Sequence, residues 1–205
     1  MEFKTLKLGI CGKKRVGKNT LGDILIKFLS ARNINVKQYA LADELKKELD
    51  PLFLLNAGIS AFTEDSVDKE LVRKTLIAYG TGFWREKDPD HWIKRVEQNI
   101  NAAIPHIAII TDVRFASNEA PWIKDDGILL HVDRVNKAGE YFPPAGPDEA
   151  YNDPILKEMA DHKLLWESYN DNLNECYYKG EQFFNEIFSQ EQITTWQKDF
   201  PRIKT

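Results

Sequence analysis

The chain has 205 residues, 42% of them hydrophobic and 29% charged, with a formal net charge of −4. That is enough for one α/β domain with a sizeable core, in the composition of an ordinary soluble globular protein. The acidic balance argues against stable nucleic-acid binding, and no apolar stretch is long enough to span a bilayer, so no membrane partner is expected. Two scattered cysteines, Cys11 and Cys176, form no metal-binding pattern and fit a reducing cytoplasm. The short apolar run at the N-terminus does not read as an export signal, so a cytoplasmic location is expected.

Positions 6–11 (LKLGIC) read as a buried strand running into a glycine turn. Positions 18–29 then place Leu21, Ile24, Leu25, Phe28 and Leu29 at helical spacing. A second strand is expected over 35–39. Residues 42–49 (ADELKKEL) read as a short helix stopped by Asp50-Pro51. Another helix over 67–79 carries Val67, Leu71, Val72, Leu76 and Tyr79 on one face, with Gly80 as its end. Asp88-Pro89-Asp90 has the chemistry of a helix start, and Trp92, Val96 and Ile100 give that helix an apolar side.

Positions 107–111 (IAIIT) and 127–132 (GILLHV) are continuous apolar runs, as central parallel strands covered on both faces require. Strands alternating with helices imply a layered α/β sheet with right-handed crossovers. Residues 135–150, rich in Pro and Gly, read as a loop or lid. The last third is mostly helical by pattern, with a short strand expected near 173–177.

The strand at 6–11 and the helix at 18–29 are joined by GKKRVGK, two glycines five apart with a lysine after the second. Glycines let the backbone curl so that successive N–H groups face a phosphate chain, and the helix adds its positive N-terminal end. Gly12, Lys14, Arg15, Val16, Gly17, Lys18, Asn19 and Thr20 are therefore the candidate ATP-phosphate residues, with Lys18 as the charge that reaches the terminal phosphates. Asn19 stands where a Mg²⁺-binding hydroxyl is usual. It can offer a carbonyl oxygen, or leave Mg²⁺ to water and phosphate. Thr20 lies one residue further in, the lysine-x-threonine arrangement of several nucleoside monophosphate kinases.

Three further segments carry a resemblance together with the loop itself: ALADELK (40–46), RKTLIAYGTGFWREKDPDHW (73–92) and TDVRFASNEA (111–120). Together they resemble the deoxynucleoside monophosphate kinases of bacteriophages, a family similar in fold to adenylate kinase and dephospho-CoA kinase. The resemblance spans residues 6–133. It implies a three-layer phosphate-loop NTPase fold, mainly parallel sheet between helices: a core of 1–41 and 105–205, a helical acceptor-binding insert of about 42–104, and a lid of about 134–150. It implies an ATP- and Mg²⁺-dependent transfer of phosphoryl to a deoxynucleoside monophosphate, in the host cytoplasm if the source is a phage, and it is compatible with a homodimer.

By the same resemblance Asp112, at a strand end, orients Mg²⁺ through water; the alternative is a helix cap. Arg114, Arg85 and Arg73 grip the acceptor phosphate, for which a planar, permanently charged fork is suited; a surface ion pair is the alternative for Arg73. Asp43 and Lys46 belong to the acceptor-side helix, or are simply its wet face. Trp84, Trp92 and Phe115 stack on a base or fill the core. Asn118 and Glu119 fit the family block or cap locally, and Arg134 is a lid arginine. Relatives carry a His-x-Ser-Glu element after the lid. This chain has Asp161-His162-Lys163 and Glu167-Ser168 instead, with 170–180 matching the adenine-holding region loosely. Other readings are a different phosphate-loop kinase, of phosphomevalonate or dephospho-CoA kinase type, and a non-catalytic nucleotide switch.

Overall fold

The computed structural model describes residues 4–167 and 173–199. The chain divides into two compact units, one of Met1–Gln38 with Ala103–Thr205 and one of Tyr39–Ala102.

The first unit is built on a five-stranded sheet in the order β2-β3-β1-β4-β5. The strands are β1 (Leu6–Cys11), β2 (Val36–Tyr39), β3 (Ile107–Val113), β4 (Gly127–Arg134) and β5 (His162–Trp166). β1 pairs in parallel with β3 and β4, and β4 with β5. The fold is α/β, a parallel sheet flanked by helices. Central strands buried on both faces call for apolar runs, and β1, β3 and β4 carry them: Leu8, Ile10, Ile109, Ile110, Leu130 and Val132 are inaccessible to solvent.

Helix α1 (Lys18–Ser30) lays Leu21, Ile24, Leu25, Phe28 and Leu29 into the core, the face its spacing predicted. Helix α7 (Leu173–Ile187) completes that layer with Phe183 and Phe184. The strand expected near 173–177 is thus the first turn of a helix. The aromatic pair Tyr177-Tyr178 suits a strand by propensity, but the longer helical period through Phe184 and Ile187 prevails. β5 was not anticipated; in HKLLW only Leu164 and Trp166 are buried, too few to announce a strand. It holds His162 and Lys163, whereas Ser168 and Asn170 fall outside the described residues. The 135–150 segment is a loop only as far as Gly146, with one bridge between Val135 and Tyr141; α6 (Pro147–Met159) follows. Helix α5 (Glu119–Lys124) precedes β4, and α8 (Gln190–Asp199) follows α7.

The second unit contains α2 (Leu41–Ala57), α3 (Ser66–Tyr79) and α4 (His91–Ala103, its last residue in the first unit). Pro51 does not stop α2, which runs on to Gly58 at φ 67. Proline removes a single donor, whereas a left-handed residue ends the helix outright. Gly80 is the C-cap at which α3 ends, as expected, but it is right-handed at φ −72 and not left-handed. The chain widens there into a π-helical turn, Gly80–Arg85. Its missing side chain serves packing, since a Cβ would lie 2.5 Å from Leu45 Cδ2. Of the apolar face expected on α3 only Val72 is buried, and Val67 and Leu71 are exposed. α4 buries Trp92, Val96 and Ile100 as expected and begins at His91, with Asp88 Oδ1 accepting from Asp90 N–H.

Candidate functional site

The loop between β1 and α1 is curled by three residues with positive φ: Gly12 at 130°, Arg15 at 68° and Gly17 at 96°. Arg15 is the non-glycine of the three, at a cost on the order of 1–2 kcal/mol. Alternation of handedness turns successive N–H groups to one side, which is how backbone makes an anion-binding concavity. The glycines are also required by space: a Cβ on Gly12 would meet the Val132 carbonyl, and one on Gly17 would lie 3.3 Å from Trp166 Nε1. Gly17 is the N-cap of α1, and no side chain caps that helix end, so the cap leaves space for a ligand.

Lys18 opens α1 and folds its ammonium back on the loop, donating to the carbonyls of Gly12 (2.6 Å) and Lys13 (2.7 Å). Burial first, and then the Arg114 guanidinium, pull the Lys18 ammonium below the ordinary lysine value, while Glu149 and Asp112 act in the opposite direction. Arg114 and Asp112 thus each lie within electrostatic reach of Lys18. Asp112 is half-buried at the C-terminal end of β3, the edge at which parallel sheets bind ligands. Asn19 is exposed and Thr20 half-buried in the first turn of α1. Carboxylate and amide oxygens beside a lysine make a hard donor set that suits Mg²⁺.

Arg114 follows β3 with an exposed side chain but a fixed backbone. Glu119, wholly buried, accepts the N–H of Arg114 (2.6 Å) and of Phe115 (3.0 Å) on Oε2. Asn118 is the N-cap of α5 by position and makes no side-chain cap bond. The Ala116 N–H donates to Asn152 Oδ1 at 3.0 Å. Arg134, at the end of β4, donates to the Arg15 carbonyl at 3.4 Å and lies over Phe142.

In the second unit Arg85 closes the π-helical turn, half-buried. Arg73 is exposed on α3, 3.9 Å from Glu70 one turn earlier. Lys46 lies 3.3 Å from Asp43 and over the Phe62 ring. Trp92 is 2% exposed and donates from Nε1 to the Gly80 carbonyl, so it fills the core of its unit and is not available to stack on a base. Trp84 is stacked on His91, ring centroids 3.8 Å apart.

Two groups were missed from sequence. Glu149, in α6, places its carboxylate on the loop, accepting the Lys14 N–H at 2.7 Å. Behind the loop, His131 Nε2 lies 3.0 Å from Asp153, and Lys157 donates to Asp133 at 2.6 Å. The carboxylate of Asp133 holds the Lys157 ammonium above its ordinary value. His131, Asp133 and Asp153 are close enough to share a cation, but Lys157 already supplies that charge. No periodic signal announces either group, because each joins residues far apart in the chain.

A glycine-curled loop between a central strand and a helix, with a lysine at the helix start and an acid at the neighbouring strand's end, defines a phosphate-loop kinase fold. The family model of phosphomevalonate kinase matches residues 10–126, more than half of the chain. The chain belongs to that family. Among solved structures, it is similar to shikimate kinase from Acinetobacter baumannii in complex with shikimate (12% identity, 90% of this chain and 96% of that one, TM-score 0.43). APS kinase CysC from Mycobacterium tuberculosis, in complex with AMPPNP and APS, is 11% identical over 90% of this chain and 99% of that one, TM-score 0.42. TT1252 from Thermus thermophilus is 12% identical over 90% and 99%, TM-score 0.44. Likenesses this distant bear on neither substrate nor reaction. No curated protein sequence matches the chain. Among the described residues no helix is long and apolar enough to cross a membrane.

Proposed function

We propose that the protein transfers the γ-phosphoryl group of ATP to the phosphate of a deoxynucleoside monophosphate, giving ADP and the deoxynucleoside diphosphate. The observation that carries this reading is a loop curled at Gly12, Arg15 and Gly17 with Lys18 at the helix start, the Arg114 guanidinium standing near enough to lower the Lys18 ammonium. Two positive charges held together need an anion of high charge, and two phosphate groups in contact are such an anion.

The acceptor oxygen is already ionised at neutral pH, so the site needs no general base. Catalysis is then positioning and charge stabilisation. Lys18 and the loop amides hold the donor phosphates. Arg114, its backbone fixed by Glu119, takes the acceptor phosphate or the group in transfer. Asp112 through water, and Asn19, would hold Mg²⁺, which would supply counter-charge to the phosphate chain. By the resemblance, Arg85, Arg73, Asp43 and Lys46 recognise the rest of the acceptor, the 42–104 segment is the acceptor insert, and 134–150 is the lid that keeps water from competing.

Family membership favours a second reading in which phosphomevalonate is the acceptor. Both acceptors are phosphate monoesters, and both reactions make a new phosphoanhydride. The test is a coupled assay for ADP with ATP, Mg²⁺ and, in turn, the four dNMPs and phosphomevalonate. Turnover of one or more dNMPs, absent in Lys18→Ala, supports the first reading. Turnover of phosphomevalonate alone replaces it with the second, and no turnover of any acceptor above the Lys18→Ala control sinks both.

A further inference from the structure

The segment 141–149 lies across the phosphate loop and engages the loop's own polar groups. Glu149 Oε1 accepts the Lys14 N–H at 2.7 Å, and Oε2 accepts the Ala145 N–H at 2.5 Å. The charge of Glu149 is felt at Lys18, raising the pKa of the ammonium against the effect of burial. Lys13 donates to the Phe142 carbonyl at 3.1 Å and approaches the Tyr141 ring. Lys18 meanwhile is turned onto the carbonyls of Gly12 and Lys13.

A curled loop of N–H donors with a lysine is built to receive an anion. Here it receives one from its own chain. The carboxylate is held at the first turn of α6, where a negative charge is favoured by the helix's own end. It is half-buried, and its two oxygens join the loop to Ala145, two residues before the helix. A carboxylate and a phosphate cannot share these donors: at contact distance two anions repel, and more strongly away from bulk water.

We propose that Glu149 is an internal competitor for the nucleotide's phosphate chain. Without nucleotide it occupies the loop and holds the 141–149 segment against it. Arriving phosphate expels it, so that occupation of the loop and release of the segment are one event. The proposal rests on the reading of the loop as a nucleotide phosphate site. Its energetic consequence is a tax on affinity, because only the fraction of molecules with Glu149 displaced can bind.

The test is calorimetric titration of the full chain with inorganic tripolyphosphate and with ADP, comparing wild type with Glu149→Gln. Removing the charge is expected to tighten both by about 3- to 10-fold, the equivalent of one ordinary hydrogen bond. Equal or weaker binding by Glu149→Gln overturns the proposal and leaves the loop reading standing. No binding of either anion to wild type or variant overturns both. A second measurement guards against a misfolded variant. In wild type, amide exchange at Ala145 is expected to quicken when tripolyphosphate is added, since the carboxylate that holds that N–H departs. Exchange that stays slow with the anion bound overturns the proposal.

Discussion

The carbonyl oxygen of Val132 occupies the place where a side chain on Gly12 would begin: a Cβ there would lie 2.2 Å from it. The conflict is with backbone of β4, which is paired on both sides and cannot give way. Gly12 also has φ 130, a conformation costly to any L side chain. Gly12→Ala is therefore expected to destabilise the fold on the order of 2–4 kcal/mol, or to displace the loop by an equivalent strain. Denaturant unfolding measures the first and ADP titration the second; a variant unchanged in both would mean that the loop is not locked to β4.

A buried cation on β1 offers a separate test of stability. Lys7 is 5% exposed, lies over the Trp122 ring and pairs with Asp126 at 2.8 Å. Burial alone would push the Asp126 carboxyl up, but the ammoniums of Lys4 and Lys7 outweigh it and hold the group below the ordinary carboxylate value. Asp126→Asn leaves Lys7 without its counter-charge, and a loss of about 2–3 kcal/mol is expected at pH 7. Because the folded-state pKa is depressed, this stability is complete above the unfolded value of about 4 and disappears as pH falls through the lower folded value. Urea unfolding of both proteins from pH 7 to pH 2.5 should show the gap closing in acid; a gap that persists there would exclude the ion pair as its cause.

The two thiols should differ sharply in reactivity. Cys11 is fully buried and donates to the Leu130 carbonyl. Burial, and then the charge of Asp153, push its thiol far above the usual range. Cys176 is half-buried, and burial raises it too. Iodoacetamide at pH 8 should label Cys176 slowly and Cys11 only after unfolding. Labelling of Cys176 should still be climbing at pH 9, because only the thiolate reacts. Mass spectrometry of the labelled peptides reads this directly, and early labelling at Cys11 would show that β1 opens readily.

What could be read from sequence is what backbone chemistry fixes locally. The strands β1, β3 and β4 announce themselves because double burial demands unbroken apolar runs. The phosphate loop does so because its glycine spacing is the geometry itself. Legibility failed where a neighbour decides. Pro51 looks like a helix stop, yet α2 continues through it; Gly80 does end α3, but the approach of Leu45, not a left-handed turn, explains the glycine. β5 shows only two buried residues. Glu149 acts on an amide 135 residues away, and no local pattern can carry that. Trp92 has the size and chemistry for a base platform, but its ring was taken up by its own unit.

Glu119 has a consequence for how function would be mapped onto this chain. It is inaccessible to solvent, so no ligand could touch it, yet it accepts the N–H groups of Arg114 and Phe115 and so helps to fix where the Arg114 side chain starts. The reach of an exposed arginine is set from beneath by a carboxylate the ligand never meets. Chemical modification and surface scanning would pass over position 119, because the support of that backbone lies beneath the surface.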